Sequence, residues 1–248
     1  MQPTFLPWLG YFDLIDQSDI FVFYNDVQLA KRSWQVRNRI KTANGELYLT
    51  VPIKKTTLRD DTLIVDAKIS YEEQWQKKII QSLSGNYSKA PFYKVVFNMI
   101  CEIISENKNS LSELNTAIII NYSKAIGIKT EFIFSSDLEG INGTKDTRLV
   151  NICKSLNATN YLSPQGSSTY IEAIKPGGEF PENNIQLFYQ HYIHPVYQQL
   201  HGDFLPYMSI LDLLFNYGFD DALHIIQSGR NKNYSFMEYR NRFMIHNS

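Results

Sequence analysis

An α/β fold is what this sequence predicts: a mostly parallel sheet with flanking helices and a helical insertion at about residues 71–127, in a single domain spanning 1–248. Three observations support it. Short β-prone runs alternate with helical patterns towards both ends of the chain, and three consecutive helical patterns fill its middle. No repeat or low-complexity linker separates these stretches.

Taken in order, Trp8 to Gln17 carries apolar residues on roughly one helical face after two prolines, which predicts a short helix. Ile20 to Tyr24 is a compact β-prone run between Ser-Asp and Asn-Asp, the signature of a buried strand. Residues Leu29 to Lys41 are dense in cations around Trp34 without a clean period and read as a functional loop. Leu47 to Ile53 follows an Asn44-Gly45 turn signal and reads as a strand, with 63–65 and 67–69 as extensions of its sheet. Tyr71 to Leu83, Phe92 to Glu106 and Leu111 to Ile126 are the three middle helices, with Ser70 as an N-cap and Gly127 as a stop. Thr130 to Phe134 and Asn160 to Leu162 read as strands around a helix at Asp146 to Leu156. A strand at Ile185 to Tyr189, helices at Ser209 to Tyr217 and Asp220 to Gln227, and a polar tail without a packing pattern complete the chain.

Composition narrows the function classes. Hydrophobic residues at 44% and charged residues at 20% argue against disorder, and no apolar run approaches the ~18 residues of a membrane span. Lysine plus arginine (24) nearly cancels aspartate plus glutamate (25), so no overall field favours nucleic acid, and an anion site must be a local cluster. Cys101 and Cys153 sit in helical apolar patterns and read as reduced core thiols. The start MQPTFLPWLG lacks the basic and apolar regions of a secretory signal, which points to the cytoplasm. Aromatic residues make up 14%, many beside polar ones, a mixture that suits sugar rings and nucleobases as well as an aromatic core.

Several residues could carry chemistry. Arg37 and Arg39 offer planar donor forks, Lys31 and Arg32 add charge, and Trp34 could stack on a base or sugar; a solvated loop with Trp34 anchored in the core is the other reading. Asp26 and Gln28 share one side of an extended segment just beyond a strand end, where open α/β sheets place ligands. Asp26 could act as a base and Gln28 as its orienting partner, or Asp26 could stabilise a turn. All five histidines lie at or after His191. The spacing of His191, His194 and His201 does not match a zinc pattern, so no metal and no cofactor is expected. His194 is the preferred general base, against a structural role satisfied by backbone. Ser163 lies where a loop enters a helix and could present an anion site, joined by Lys145 and Arg148, with helix capping by Thr144 as the alternative. Asp212, set among apolar neighbours in SILDLLF, needs a partner, with the arginines as candidates.

Three separated, correctly ordered stretches carry a family resemblance. They are Gln2-Pro3, Pro7-Trp8, Gly10-Tyr11-Phe12, Asp26-Val27-Gln28, Lys31-Arg32, Trp34 and Arg37-Asn38-Arg39; YLSPQGSSTYI from Tyr161; and HPVYQQLHGDFLPYMSILDLLFNYG from His194. Together they resemble the WbqC-like family. Family members usually carry apolar residues ahead of the Gln-Pro and a Gly-rich version of YLSPQGSS, and this sequence departs from both patterns. The resemblance implies a role in O-antigen or related surface-polysaccharide synthesis, as a glycine or aminoacyl transferase to an amino sugar. The partners implied are a nucleotide-linked amino sugar and an activated acyl donor, with nucleic acid entering only as an aminoacyl-tRNA donor. Gln2, Trp8, Tyr11, Asn38, Tyr197 and Gln199 join the expected substrate-binding set. Two other classes stay open: an ATP-using adenylating enzyme, because the opening element order resembles the nucleotidyltransferase-like fold, and a non-catalytic sugar-binding module.

Overall fold

A computed structural model describes residues 1–30, 33–54 and 62–244. In chain order its elements are α1 (Leu9–Asp16), β1 (Ile20–Phe23), β2 (Arg37–Thr42), β3 (Gly45–Thr50), α2 (Trp75–Tyr87), α3 (Tyr93–Ser105), α4 (Leu111–Ala125), β4 (Glu131–Phe134), α5 (Lys145–Ser155), β5 (Asn160–Ser163), α6 (Ser168–Ile171), β6 (Gln186–Tyr189), α7 (Ile210–Tyr217), α8 (Ala222–Ser228), β7 (Tyr234–Ser235) and α9 (Phe236–Phe243). The protein is mixed α/β. Where one mostly parallel sheet was expected, the described residues form three small ones: a parallel pair β1–β4, an antiparallel hairpin β2–β3, and a three-stranded sheet in order β5–β6–β7. In that last sheet β5–β6 is parallel and β6–β7 antiparallel. The reason is strand length: β1, β4, β5 and β6 have four residues each, and the Asn44-Gly45 turn commits β2 to an antiparallel partner.

The chain divides into two compact units, Met1–Ser136 with His194–Gly229, and Asp137–Ile193 with Arg230–Ser248. In the first unit, α1 is introduced by Trp8 and packs against α8. Strand β1 pairs in register with β4, Ile20 opposite Glu131 through Phe23 opposite Phe134. The segment after β1 runs beside residues 62–65, the Leu29 and Ile64 amides donating to the carbonyls of Thr62 and Val27. Helix α4 starts at Ser110, whose side chain accepts from the Glu113 amide, and ends before Gly127, which takes the positive φ of +91° that a helix stop requires. Helix α2 departs from expectation: it begins at Trp75, not Tyr71, because Gln74 just ahead of it takes a left-handed φ of +48°, which interrupts a right-handed helix.

The second unit holds a core of Leu149, Val150, Cys153, Ile171, Phe180 and Tyr189. The expected polar tail is structured here. Asn233 accepts the His191 amide, and a capping box at Ser235 and Glu238 opens α9. Arg240 then reaches the buried Glu172 at 2.9 Å. Polar residues in this tail therefore pack through specific partners, a pattern that apolar periodicity cannot reveal.

Candidate functional site

His194 sits at the centre of an aromatic enclosure in the first unit. Its ring stacks on Trp8 and Tyr197, with centroids 5.9 and 6.1 Å away, and meets Tyr207 and Phe204 at steeper angles at 5.2 and 5.6 Å. Trp8 holds its place because its indole folds back over Gly10, where a Cβ would come within 2.2 Å of the ring. Only glycine leaves that room. Tyr207 has φ +60° and is half exposed, so it forms the solvent-facing wall.

The protonation pattern follows from the partners. His194 Nδ1 lies 2.8 Å from the Pro195 carbonyl oxygen, which can only accept, so Nδ1 carries the hydrogen and Nε2 the lone pair. Nε2 is buried and has no partner among the described residues. Burial holds the imidazole below its ordinary value, opposed by the bond to Pro195, so the neutral form prevails at pH 7. Ser209, which pairs with Trp8 through a β-bridge and stands at the N-cap of α7, has a buried Oγ that also lacks a partner among the described residues. An unsatisfied buried polar atom costs ~1–3 kcal/mol, and two of them lie on neighbours of Trp8.

Behind the enclosure lies Asp212, fully buried on α7. The arginines expected as its partners are replaced by neutral donors: Tyr87 hydroxyl at 2.8 Å, Tyr197 hydroxyl at 2.9 Å and Gln199 Nε2 at 2.7 Å. Burial raises its carboxyl pKa, the three hydrogen bonds opposing. Gln199 also clasps Leu205 through both backbone groups, so one carboxylate fixes the loop that carries Tyr197, Phe204 and Tyr207. Lys41 donates to the carbonyls of Gly202 and Asp203 in the same loop.

The hairpin adds a cationic and aromatic face. Residues 37–41, expected in a loop, are strand β2, and the register sets Arg39 opposite Tyr48 and Arg37 opposite Thr50, which puts both arginines on one face. The Arg37 guanidinium lies 5.0 Å over Tyr48, Arg39 lies 5.8 Å over Trp34, and Trp34 stacks on Tyr48 at 6.3 Å. Trp34 is 48% exposed, which removes the reading of a core anchor. Arg39 pairs with Glu46 at 2.6 Å and donates from Nε to the Tyr207 carbonyl, joining this face to the enclosure. Asn38, on the opposite face, is buried and donates to the carbonyls of Phe5 and Leu6. Gln2 is bound by Gln35 and by the hydroxyl of Tyr11, which is itself buried.

Asp26 stands at the carboxyl end of β1 and accepts the Ser135 hydroxyl from just past the end of β4, while Asn25 bonds with both Ser135 and Ser136. Gln28 bridges Leu63. Lys31 and Arg32 lie outside the described residues. Ser163, Lys145 and Arg148 belong to the second unit: Ser163 is buried at the end of β5, Lys145 is exposed as the first residue of α5, and Arg148 is half-buried one turn on. Thr144 precedes α5 without a side-chain cap bond. Phe204, Tyr207, Ser209 and Tyr87 escaped sequence reasoning. The first two stand three apart in an irregular stretch, and that aromatic spacing beside a histidine was the available signal. Among the described residues no group of three or more His, Cys, Asp or Glu side chains is placed to hold a metal ion, and no helix is long and apolar enough to cross a membrane.

Fold and site together define a mixed α/β protein with an aromatic-walled histidine beside a cationic hairpin. The chain belongs to the WbqC-like protein family, whose model matches residues 2–224. It is similar to the uncharacterized protein Rv1507c of Mycobacterium tuberculosis, 35% identical over 229 residues, which cover 88% of this chain and 92% of that protein. No solved structure matches it.

Proposed function

We propose that this chain is a transferase of bacterial O-antigen or surface-polysaccharide synthesis that moves a glycyl or other acyl group onto the amine of a nucleotide-linked amino sugar, with His194 as the base. One observation carries the reading: a neutral histidine whose Nε2 lone pair is buried, without a partner among the described residues, inside a wall of aromatic rings. Aromatic faces suit the apolar face of a sugar, and the lone pair is the group a base requires. In the step proposed, Nε2 takes a proton from the sugar nitrogen as that nitrogen attacks the acyl carbonyl carbon. The C–N bond forms, the bond to the leaving group breaks, and the leaving group takes the proton from the imidazolium. Arg37 and Arg39 serve the pyrophosphate, with Trp34 and Tyr48 stacking on the base, and Lys31 and Arg32 add positive charge. Asp26 is the second candidate base.

The same geometry supports one other reading, a non-catalytic sugar-binding module, because Nε2 can equally accept a hydrogen bond from a sugar hydroxyl. Thermal shift with a nucleotide-linked amino sugar reads binding, and mass spectrometry of the acylated product reads turnover. His194→Gln is expected to lower the rate ~100-fold or more with ligand affinity nearly unchanged. Arg37→Ala and Arg39→Ala are expected to weaken binding by ~1–3 kcal/mol each. Wild-type turnover in the His194 variant removes it as the base, and binding without turnover in the wild type selects the binding module.

A further inference from the structure

The proposed base is shut away. His194 is only partly buried as a residue, yet its Nε2 has essentially no surface open to solvent. A base has to touch the group it deprotonates, so whatever covers Nε2 must move. Trp8 and Tyr197 lie within 16° and 22° of the imidazole plane and stack on it, whereas Phe204 and Tyr207 stand at 59° and 78°. Both nitrogens sit on the ring edge, and Nδ1 is already taken by the Pro195 carbonyl. The two steep rings are the ones placed to close the rest of that edge.

The four rings are not equally anchored. Tyr197 is 6% exposed with its hydroxyl on Asp212, and Trp8 is wedged over Gly10 and bridged to Ser209. Phe204 and Tyr207 ride instead on residues 201–207, a segment outside any helix or strand in which His201, Asp203 and Tyr207 are exposed. Its backbone is left-handed at His201, Gly202 and Tyr207, with φ of +66°, +71° and +60°. Two of these residues carry side chains, and such a conformation survives only where the surroundings enforce it. Here the enforcement is polar. Lys41 Nζ donates to the carbonyls of Gly202 and Asp203, Arg39 Nε donates to that of Tyr207, and the Gln199 amide holds both backbone groups of Leu205. Contacts of this kind break and re-form without disturbing Met208, Ser209 and Ile210, which are fully buried and fix the far end of the segment.

We propose that residues 201–207 form a gate over His194. Closed, as in this structure, the gate seals Nε2 behind Phe204 and Tyr207, with Lys41 as its latch. Opening releases the contacts of Lys41, Arg39 and Leu205 and lets a ligand reach the lone pair. The gate rests on the reading of His194 as a group that meets ligand, and it adds an order of events: opening admits the substrate, and closing excludes water from an acyl group that water would otherwise hydrolyse.

Diethyl pyrocarbonate attaches to the free nitrogen of a neutral imidazole and so reports opening without any need for turnover. The whole chain is treated at neutral pH, and modification of each histidine is followed by mass spectrometry, with the exposed His224 on α8 as reference. His194 should react about a hundredfold more slowly than His224, with only a weak dependence on urea below the unfolding transition, as a local opening requires. Tyr207→Ala and Lys41→Met should each raise the His194 rate about tenfold and leave His224 unchanged, the shift expected when contacts made only in the closed state are lost. Tyr207 is half exposed, so its variant tests the gate even where loss of the buried Lys41 side chain upsets folding. Wild-type His194 reacting as fast as His224, a His194 rate unchanged in either folded variant, or a rate that climbs with urea as steeply as global unfolding overturns the gate. Gated modification in a chain that never acylates a sugar amine overturns the transferase reading and leaves the gate standing.

Discussion

Two buried carboxylates, Glu172 in the second unit and Asp212 in the first, are handled in opposite ways. Glu172 in the second unit is paired with Arg240 at 2.9 Å and also accepts from the Tyr189 hydroxyl and the Gly177 amide. Asp212 in the first unit takes two tyrosine hydroxyls and one amide, while Lys41, whose charge reaches it, gives its hydrogen bonds to the carbonyls of Gly202 and Asp203. A carboxylate neutralised by a guanidinium is a staple: it ties α9 and β6 to the segment after α6. A buried carboxylate served by neutral donors depends on each of them, because each is one of few compensations for lost hydration. The difference matches position, since Asp212 fixes the loop that walls in His194, where orientation counts for more than cohesion.

The comparison can be broken most forcefully at Glu172. Glu172→Ala leaves Arg240 without its partner and is expected to cost the second unit ~3–5 kcal/mol, read by urea unfolding followed through amide exchange in β6 and α9. A loss below ~1 kcal/mol would show that the pair is incidental. The next effect sharpens the contrast between the carboxylates. Tyr197→Phe removes a donor from the carboxylate without a cation and should cost ~1.5–3 kcal/mol, whereas Tyr189→Phe removes one from the neutralised carboxylate and should cost ~0.5–1.5 kcal/mol. Equal losses in the two variants, measured in the same urea series, would erase the distinction.

Ser235→Ala tests whether the second unit depends on its terminal helix. It deletes the capping box of α9 and should cost about 1 kcal/mol, seen as faster amide exchange confined to residues 236–243. The smallest effect is on pH dependence. Burial depresses the His194 pKa, so the unfolded chain takes up a proton near the ordinary value of ~6.5 where the folded chain does not. The stabilising contribution is then complete above that value and is lost as the pH falls below it. The melting temperature of the wild type should fall over that range more steeply than that of His194→Gln. Asp212 works in the other direction, its raised pKa giving a contribution present in acid and lost as the pH rises above the usual carboxylate range near ~4. Parallel melting profiles for the wild type and His194→Gln would mean that the imidazole is not desolvated.

Local chemistry was legible in the sequence where it acts over a few residues. The helices at α1, α3, α4, α5, α7 and α8 follow from apolar spacing, the hairpin turn from Asn44-Gly45, and the stop of α4 from Gly127, because helix periodicity and positive-φ turns are properties of adjacent residues. The motif stretches likewise identified the family, and His194 and Asp212 stood out as polar groups in unusual surroundings. Only the tertiary structure decided how the strands group into three small sheets, since pairing depends on which distant segment arrives, not on β-propensity. It also decided that Asp212 is held by Tyr87, Tyr197 and Gln199, residues from 125 to 13 positions away in the chain, where charge arithmetic alone suggested arginine. It decided that Gly10 exists to carry the Trp8 ring, and that Phe204 and Tyr207 close around the histidine. These are contacts between residues that share no local pattern, so they come into being only when the chain has folded.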